Sequence, residues 1–162
     1  MTMLSEHPRT LFIGQSIRYP GHALHKHLVN VPMDRRIEMP VAEDLQMGFS
    51  TGLALQGFIP VSIFPRWDFL LVAANQLVTH LDKIPLQSDF KPHVIIRTTV
   101  GATKPLNSGL QHTSDHTEAF RLLLKTVEVI DLKEAPQIVP SYTYALNSRT
   151  SVLLAEHQNL YN

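Results

Sequence analysis

Among the residues able to do chemistry, one carboxylate has a telling position. Glu43 follows the short run Arg36–Ile37–Glu38–Met39, closed by Pro40, and opens a stretch from Leu45 to Gln56 that reads as a helix. A carboxyl group between a strand and a helix start can give and share a proton, provided that burial against apolar groups brings it into the working range near neutrality. The same position also suits the helix dipole alone, so spacing by itself names no reaction. Glu38 and Glu43 are separated by the proline turn and do not read as an acid–base pair. The other candidates lie further along: Trp67, Asp68 and Phe69 after an apolar run, and His112 in a long irregular stretch.

Nine histidines are many for 162 residues. His22, His25 and His27 cluster loosely, and His112 and His116 have helical spacing. A histidine metal site would need ligands at closer and more regular spacing, with acidic or cysteine partners beside them. No acidic or cysteine residue sits at such a spacing, so these residues read as surface and loop histidines; a histidine metal site is kept only as a third, weaker alternative.

Other chemistries are excluded by what is missing. The chain has no cysteine, which removes disulfides, thiolate catalysis and cysteine metal sites together and fits a cytoplasmic setting. There is no G-x-G-x-x-G, no Walker loop and no G-x-S-x-G elbow. Formal net charge is zero, and basic residues are not interleaved with aromatics, so neither nucleic acid nor an anionic membrane is expected as a partner. The N-terminal ten residues are polar, without the apolar core of a signal peptide, and no apolar run approaches the roughly 20 residues that span a bilayer.

The elements that must position these residues follow from periodicity. Thr10 to Ile13, ending at Gly14, reads as a buried strand, followed by a turn at Tyr19–Pro20–Gly21 and a helix from His22 to Val29. Arg36 to Met39 is a short strand. In the helix up to Gln56, Gly48 and Gly52 share one face, which leaves room for another backbone, and Gly57 is the stop. Ile59 to Phe64 is a strand, Trp67 to Ile84 one long amphipathic helix with Leu70, Ala73, Leu77 and Leu81 inward, and 85–92 a loop. His93 to Thr99 is a strand and 101–113 a loop. A helix capped by Ser114 or Asp115, with Glu118 placed for a capping box, runs to Leu124. Val127 to Ile130 is a strand, Pro140 opens a short helix to about Leu146, and Ser151 to Ala155 is the last strand. Alternation of this kind defines an α/β fold, a mostly parallel sheet with helices on both faces. Ligands of such sheets bind beyond the carboxyl ends of the strands, here the loops after Met39, Phe64 and Thr99, which carry Glu43, Trp67 to Phe69, and His112.

The run RIEMPVAEDLQMGFSTGLALQGFIPVSIFPRWDF, followed by NQL, resembles the pyrimidine-binding domain of the transketolase and 2-oxo acid dehydrogenase beta-subunit family. Glu43, Gly52, Gly57, Pro60, Trp67 and Phe69 fall in register with it. Gln111–His112–Thr113 with Glu118–Ala119–Phe120 is similar to the family's Q-H-S segment and downstream E-A, and EHQNLY at 156–161 to the close of the same domain. The chain departs from the family at Leu45, where beta subunits usually have glycine, and at Leu123–Leu124–Lys125, where a proline–glycine is usual.

The resemblance implies a thiamin-diphosphate-binding fold of the pyrimidine type, with residues 1–162 forming one such domain and neither the diphosphate-binding domain with its G-D-G motif nor the C-terminal domain beside it. It implies thiamin diphosphate as cofactor, with Mg2+ held by a diphosphate-binding, alpha-type partner subunit, in a homodimer or hetero-tetramer. Glu43 matches the glutamate that activates the cofactor's aminopyrimidine. Phe69, with Trp67 as second choice, matches the aromatic packed on the pyrimidine, and His112 a substrate-facing group. The reaction would be ketol transfer or 2-oxo acid oxidation; a non-oxidative decarboxylase subunit and a non-catalytic assembly module are the alternatives.

Overall fold

The computed structural model describes residues 1–20, 23–104 and 107–161. Six strands, β1 (Thr10–Gly14), β2 (Arg36–Glu38), β3 (Ile59–Ile63), β4 (Ile95–Val100), β5 (Glu128–Leu132) and β6 (Val152–His157), form one sheet in the order β2-β1-β3-β4-β6-β5. Every pairing is parallel. All carboxyl ends therefore emerge at one edge of the sheet and all amino ends at the other.

Side chains alternate across the pleat, and each face builds its own core. On one face Ile96, Leu153 and Ala155 pack with Met47, Trp67, Leu70, Leu77 and Phe120. On the other Phe12, Val61, Ile95, Val152 and Leu154 pack with Leu4, Leu24, Tyr142 and Ala145. The helices divide accordingly. Those contributing to the first core are α3 (Glu43–Leu55), α4 (Trp67–Val72) and α6 (Thr117–Leu123). The second is covered by α1 (Thr2–Glu6), α2 (Ala23–His27) and α7 (Ala135–Asn147). The sheet with helices on both faces is thus as the alternation of elements implied.

Several boundaries differ from the sequence reading. The N-terminal segment folds as α1, held by the Leu4 side chain in the core. The helix expected from His22 is described from Ala23 and ends at His27; His22 and Gly21 lie outside the described residues. The helix expected to run from Trp67 to Ile84 is not one α-helix. After Val72 the chain widens into π winding over Asn75–Leu81, and a further turn, α5 (Ile84–Gln87), occupies part of the expected loop. Leu77 and Leu81 stay buried through the change. It ends at Asp82, whose amide bonds back five residues to the Leu77 carbonyl at 2.9 Å. α6 starts at Thr117, later than expected, because the Asp115 carboxylate takes the Thr117 amide and hydroxyl at 3.0 and 2.6 Å; Glu118 makes no capping box there. Pro140 lies inside α7, which begins five residues earlier. Its start is fixed by the Glu134/Gln137 capping box, with Pro136 in the first turn.

At the other end of α3 the expected stop is present. Gly57 has φ +85°. Its amide bonds to Ala54 O at 3.0 Å and that of Phe58 to Leu53 O at 3.1 Å, the paired bonds of a Schellman closure. The expected close approach of a backbone to Gly48 and Gly52 is not met within the described residues. A Cβ on Gly48 would lie 3.3 Å from the Gln76 side chain, and one on Gly52 would meet nothing within 4 Å.

Candidate active site

Pro40 closes β2, and three residues later the chain enters α3 at Glu43. Glu43 is the first helical residue and is only 7% exposed. Its partner comes from the neighbouring strand end: the Gln15 amide, just after β1, donates to Glu43 Oε1 at 3.1 Å. No other described residue bonds to the carboxyl. Glu38 is occupied elsewhere. It accepts from the backbone amides of Ser16, at φ 58°, and Arg18, and so shapes the loop that presents Gln15.

The loop after β3 supplies the aromatic pair, and the structure separates the two. Trp67 is fully buried, its ring 5.0 Å from Phe120 and edge-on to His116 at 6.4 Å. Phe69 is half-buried and faces outward to His112, with ring centroids 5.6 Å apart at 48°. α4 touches both α3 and the turn Leu110–His112, so the candidates gather along one edge of the sheet. Three polar atoms in this region are buried without a partner among the described residues, His112 Nδ1, Asp68 Oδ2 and Trp67 Nε1. Orphaned buried groups are rare in folded chains and point to an absent ligand or water.

His112 is set in place by residues that the sequence did not single out. Arg66 Nη1 donates to the His112 carbonyl at 3.0 Å and to Gln158 Oε1 at 3.1 Å. Gln158 Nε2 donates to Thr99 Oγ1 at 3.1 Å, and Thr99 Oγ1 to Pro65 O at 2.7 Å. The loops after β3, β4 and β6 are thereby tied together. The tie passes through Gly101: a Cβ there would lie 2.0 Å from His112 O. Gln15, Arg66 and Gln158 carry no local signal, since their partners are 28 to 92 residues away.

On the opposite face a second polar cluster gathers around Arg97, whose Nη1 alone of its nitrogens has no partner among the described residues. Arg97 of β4 binds Glu156 of β6 through two bonds of 2.9 Å, and Tyr142 and Tyr161 donate their hydroxyls to the same carboxylate. Arg97 also donates to His27 Nδ1 at 2.9 Å. Burial opposes ionisation of Glu156, yet the Arg97 guanidinium and the two phenols hold its carboxyl down at about 2. Burial likewise acts against Arg97, and the Glu156 charge outweighs it, keeping the guanidinium firmly protonated.

Among the described residues no group of three or more His, Asp or Glu is arranged to hold a metal ion. His27 is bonded to Arg97, and His112 and His116 stand against different aromatic rings. Among the described residues no helix is long and apolar enough to cross a membrane.

The fold and the edge that gathers Glu43, Phe69 and His112 are those of an α/β domain with a parallel six-stranded sheet and helices on both faces. The whole chain, residues 1–162, matches the family described as "Transketolase, pyrimidine binding domain", and it belongs to that family. It is 26% identical to the pyruvate dehydrogenase E1 component subunit beta-4, chloroplastic, of Oryza sativa subsp. japonica, over 98% of this chain and 40% of that protein. It is 30% identical to the 3-methyl-2-oxobutanoate dehydrogenase subunit beta of Mycobacterium tuberculosis, over 54% of this chain and 25% of that protein. The chain thus spans less than half the length of these relatives. Among solved structures, a split-gene transketolase described as an inactive beta4 tetramer superposes with a TM-score of 0.73 at 18% identity, over 97% of this chain and 49% of that one. The transketolase of Campylobacter jejuni gives 0.69 at 15% identity, over 95% and 23%; both likenesses concern the fold.

Proposed function

We propose that this chain is the pyrimidine-side subunit of a thiamin-diphosphate-dependent enzyme of the transketolase or 2-oxo acid dehydrogenase beta-subunit type, in which Glu43 handles the proton that activates the cofactor. The observation that carries the reading is the Glu43 carboxyl itself. It is buried at the carboxyl edge of the sheet, with one oxygen held by Gln15 and no second bond from any described residue. The orphaned atoms of His112 and Asp68 at the same edge fit a ligand bound there.

When bound, thiamin diphosphate supplies an acidic thiazolium carbon and, in its own aminopyrimidine, the base that deprotonates it. Glu43 would share a proton with the pyrimidine ring nitrogen and so favour the tautomer that acts as base. The Gln15 amide can only donate through its nitrogen, so Oε1 is held as an acceptor and Oε2 is left to carry the shared proton. Phe69 would pack on the pyrimidine, where offset ring contact adds about 0.5–1.5 kcal/mol beyond burial. Trp67, locked against Phe120, supports α4 from the core side. His112, tilted on Phe69 with Nδ1 unpartnered, orients the substrate or hands it a proton.

We assign the diphosphate and Mg2+ to an alpha-type partner subunit, in a homodimer or hetero-tetramer. Ketol transfer, oxidative and non-oxidative 2-oxo acid decarboxylation all use this half-site. The test is Glu43→Gln in the reconstituted pair. Loss of a positioned proton donor lowers turnover by about 10²–10⁴-fold, with thermal unfolding unchanged. Undiminished turnover would instead identify the chain as a non-catalytic assembly module.

A further inference from the structure

The amino edge of the sheet carries a feature that the proposed cofactor chemistry does not use. Because all strands are parallel, the entries to β1, β3 and β4 lie side by side there. Each of these entries contributes to one cavity of about 290 Å³. His7 and Arg9 come from the approach to β1, Gly57 and Phe58 from the approach to β3, and Lys91 and His93 from the approach to β4. Four of the lining side chains are basic and none is acidic, in a chain whose formal net charge is zero.

Three of the four are already oriented by the backbone. Arg9 Nη1 donates to the Gly57 carbonyl at 3.4 Å, which leaves the rest of its fork available. The Arg9 amide donates to His7 Nδ1 at 3.3 Å, so the other ring nitrogen of His7 carries the proton and donates. His93 Nε2 meets the Ala145 carbonyl at 2.7 Å, which sets its ring orientation. Lys91 is exposed and makes no ion pair among the described residues. Burial, joined by repulsion from His7, holds the His93 imidazole below its ordinary range despite its bond to Ala145. No lining carboxylate relieves this positive field.

We propose that this cavity is a binding site for a small phosphorylated molecule. A guanidinium fork, an ammonium and the free Nε2–H of His7 line one cavity with no carboxylate among them, and match a multiply charged oxyanion; His93, its Nε2 held by Ala145, forms part of the wall beside them. The cavity is at the small end of the range for ligand pockets and has room for more than the phosphoryl group. The partly exposed Phe58 ring offers an apolar wall for the remainder. The site stands independently of the Glu43 reading, since it lies at the opposite edge of the sheet.

The test is a titration of the purified chain with inorganic phosphate and pyrophosphate at constant ionic strength, following the ring signals of His7 and His93 by NMR with chloride as control. Saturable shifts of both histidines are expected, with pyrophosphate binding more tightly than phosphate. Each cation removed should weaken binding about tenfold, the scale of a charge-assisted hydrogen bond. Lys91→Ala tests this on an exposed side chain with no structural partner, and Arg9→Ala adds to it. Absence of saturable shifts, or equal affinity in wild type and in Lys91→Ala/Arg9→Ala, would overturn the proposal.

Discussion

The side-chain amide of Gln15 donates to Oε1 of Glu43 at 3.1 Å, linking the ends of two adjacent strands, β1 and β2, at the candidate proton-transfer centre. An amide fixes the orientation of a carboxyl group without adding charge. Gln15→Ala should therefore lower turnover of the reconstituted enzyme about tenfold, through misplacement of Oε2. Gln15→Glu should do more damage, because two carboxylates in contact cannot both ionise, and should displace the acid limb of the pH–rate profile. Steady-state kinetics across pH on the three proteins distinguish the two effects.

Asp82 is a buried structural carboxylate on the first core. It is fully buried and accepts the backbone amides of Lys125, Thr126 and Val127 at 2.8, 2.7 and 3.1 Å, fixing the turn into β5. Burial works against its charge, but these amides, with Lys83, outweigh it and hold the carboxyl below its ordinary range. Asp82→Ala leaves three backbone donors without this acceptor, two of them part-buried and that of Val127 buried. Each lost partner costs about 1–3 kcal/mol, not fully additively, so urea denaturation should show a loss of several kcal/mol.

Acid stability should follow Glu156 and Asp82 together. Both carboxyls have folded-state values below their unfolded ones, Glu156 at about 2. A depressed folded value contributes stability that is complete above the unfolded value and vanishes as pH falls through the folded one. For Glu156 the window runs from 4.5 down to about 2. Glu156→Gln, which keeps an acceptor for the phenols, should flatten the dependence of unfolding free energy on pH across that window. Arg97→Met leaves the carboxylate buried and unpaired, and should cost about 3–5 kcal/mol at neutral pH.

Gly101→Ala tests the seat of His112. The new methyl would meet His112 O at 2.0 Å and Arg66 Nη1 at 2.7 Å. Since one contact is backbone, the loop must move. Overpacking of this kind costs about 1–3 kcal/mol, and the loop around 101–112 should become more sensitive to limited proteolysis while the sheet keeps its far-UV signal.

Much of the architecture was legible because strand signals are local. Thr10 to Gly14 and Ile59 to Ile63 are apolar runs bounded by glycine or proline, and they fold as read. The place of Glu43 at a helix start was legible for the same reason, since the proline turn and helix start lie within a few residues of it. The π winding at Asn75–Leu81 was not, because Leu70, Ala73, Leu77 and Leu81 keep a spacing that an unbroken α-helix would also produce. The start of α7 was misread because Pro140 resembles a first-turn proline, whereas the decisive signal is the less conspicuous Glu134/Gln137 box. Gln15, Arg66 and Asp82 were invisible for another reason: each acts on a partner at least 28 residues away, and only the parallel crossovers bring them together.

The burial of Trp67 has a practical consequence. It is the chain's one tryptophan, and its indole sits dry against Phe120 with Nε1 unbonded. It is two residues from Phe69, on the same short helix. The protein therefore has an intrinsic optical reporter. Its emission should be blue in the native state, shift to the red on unfolding, and respond to any ligand or partner that pushes on α4, without a label being added.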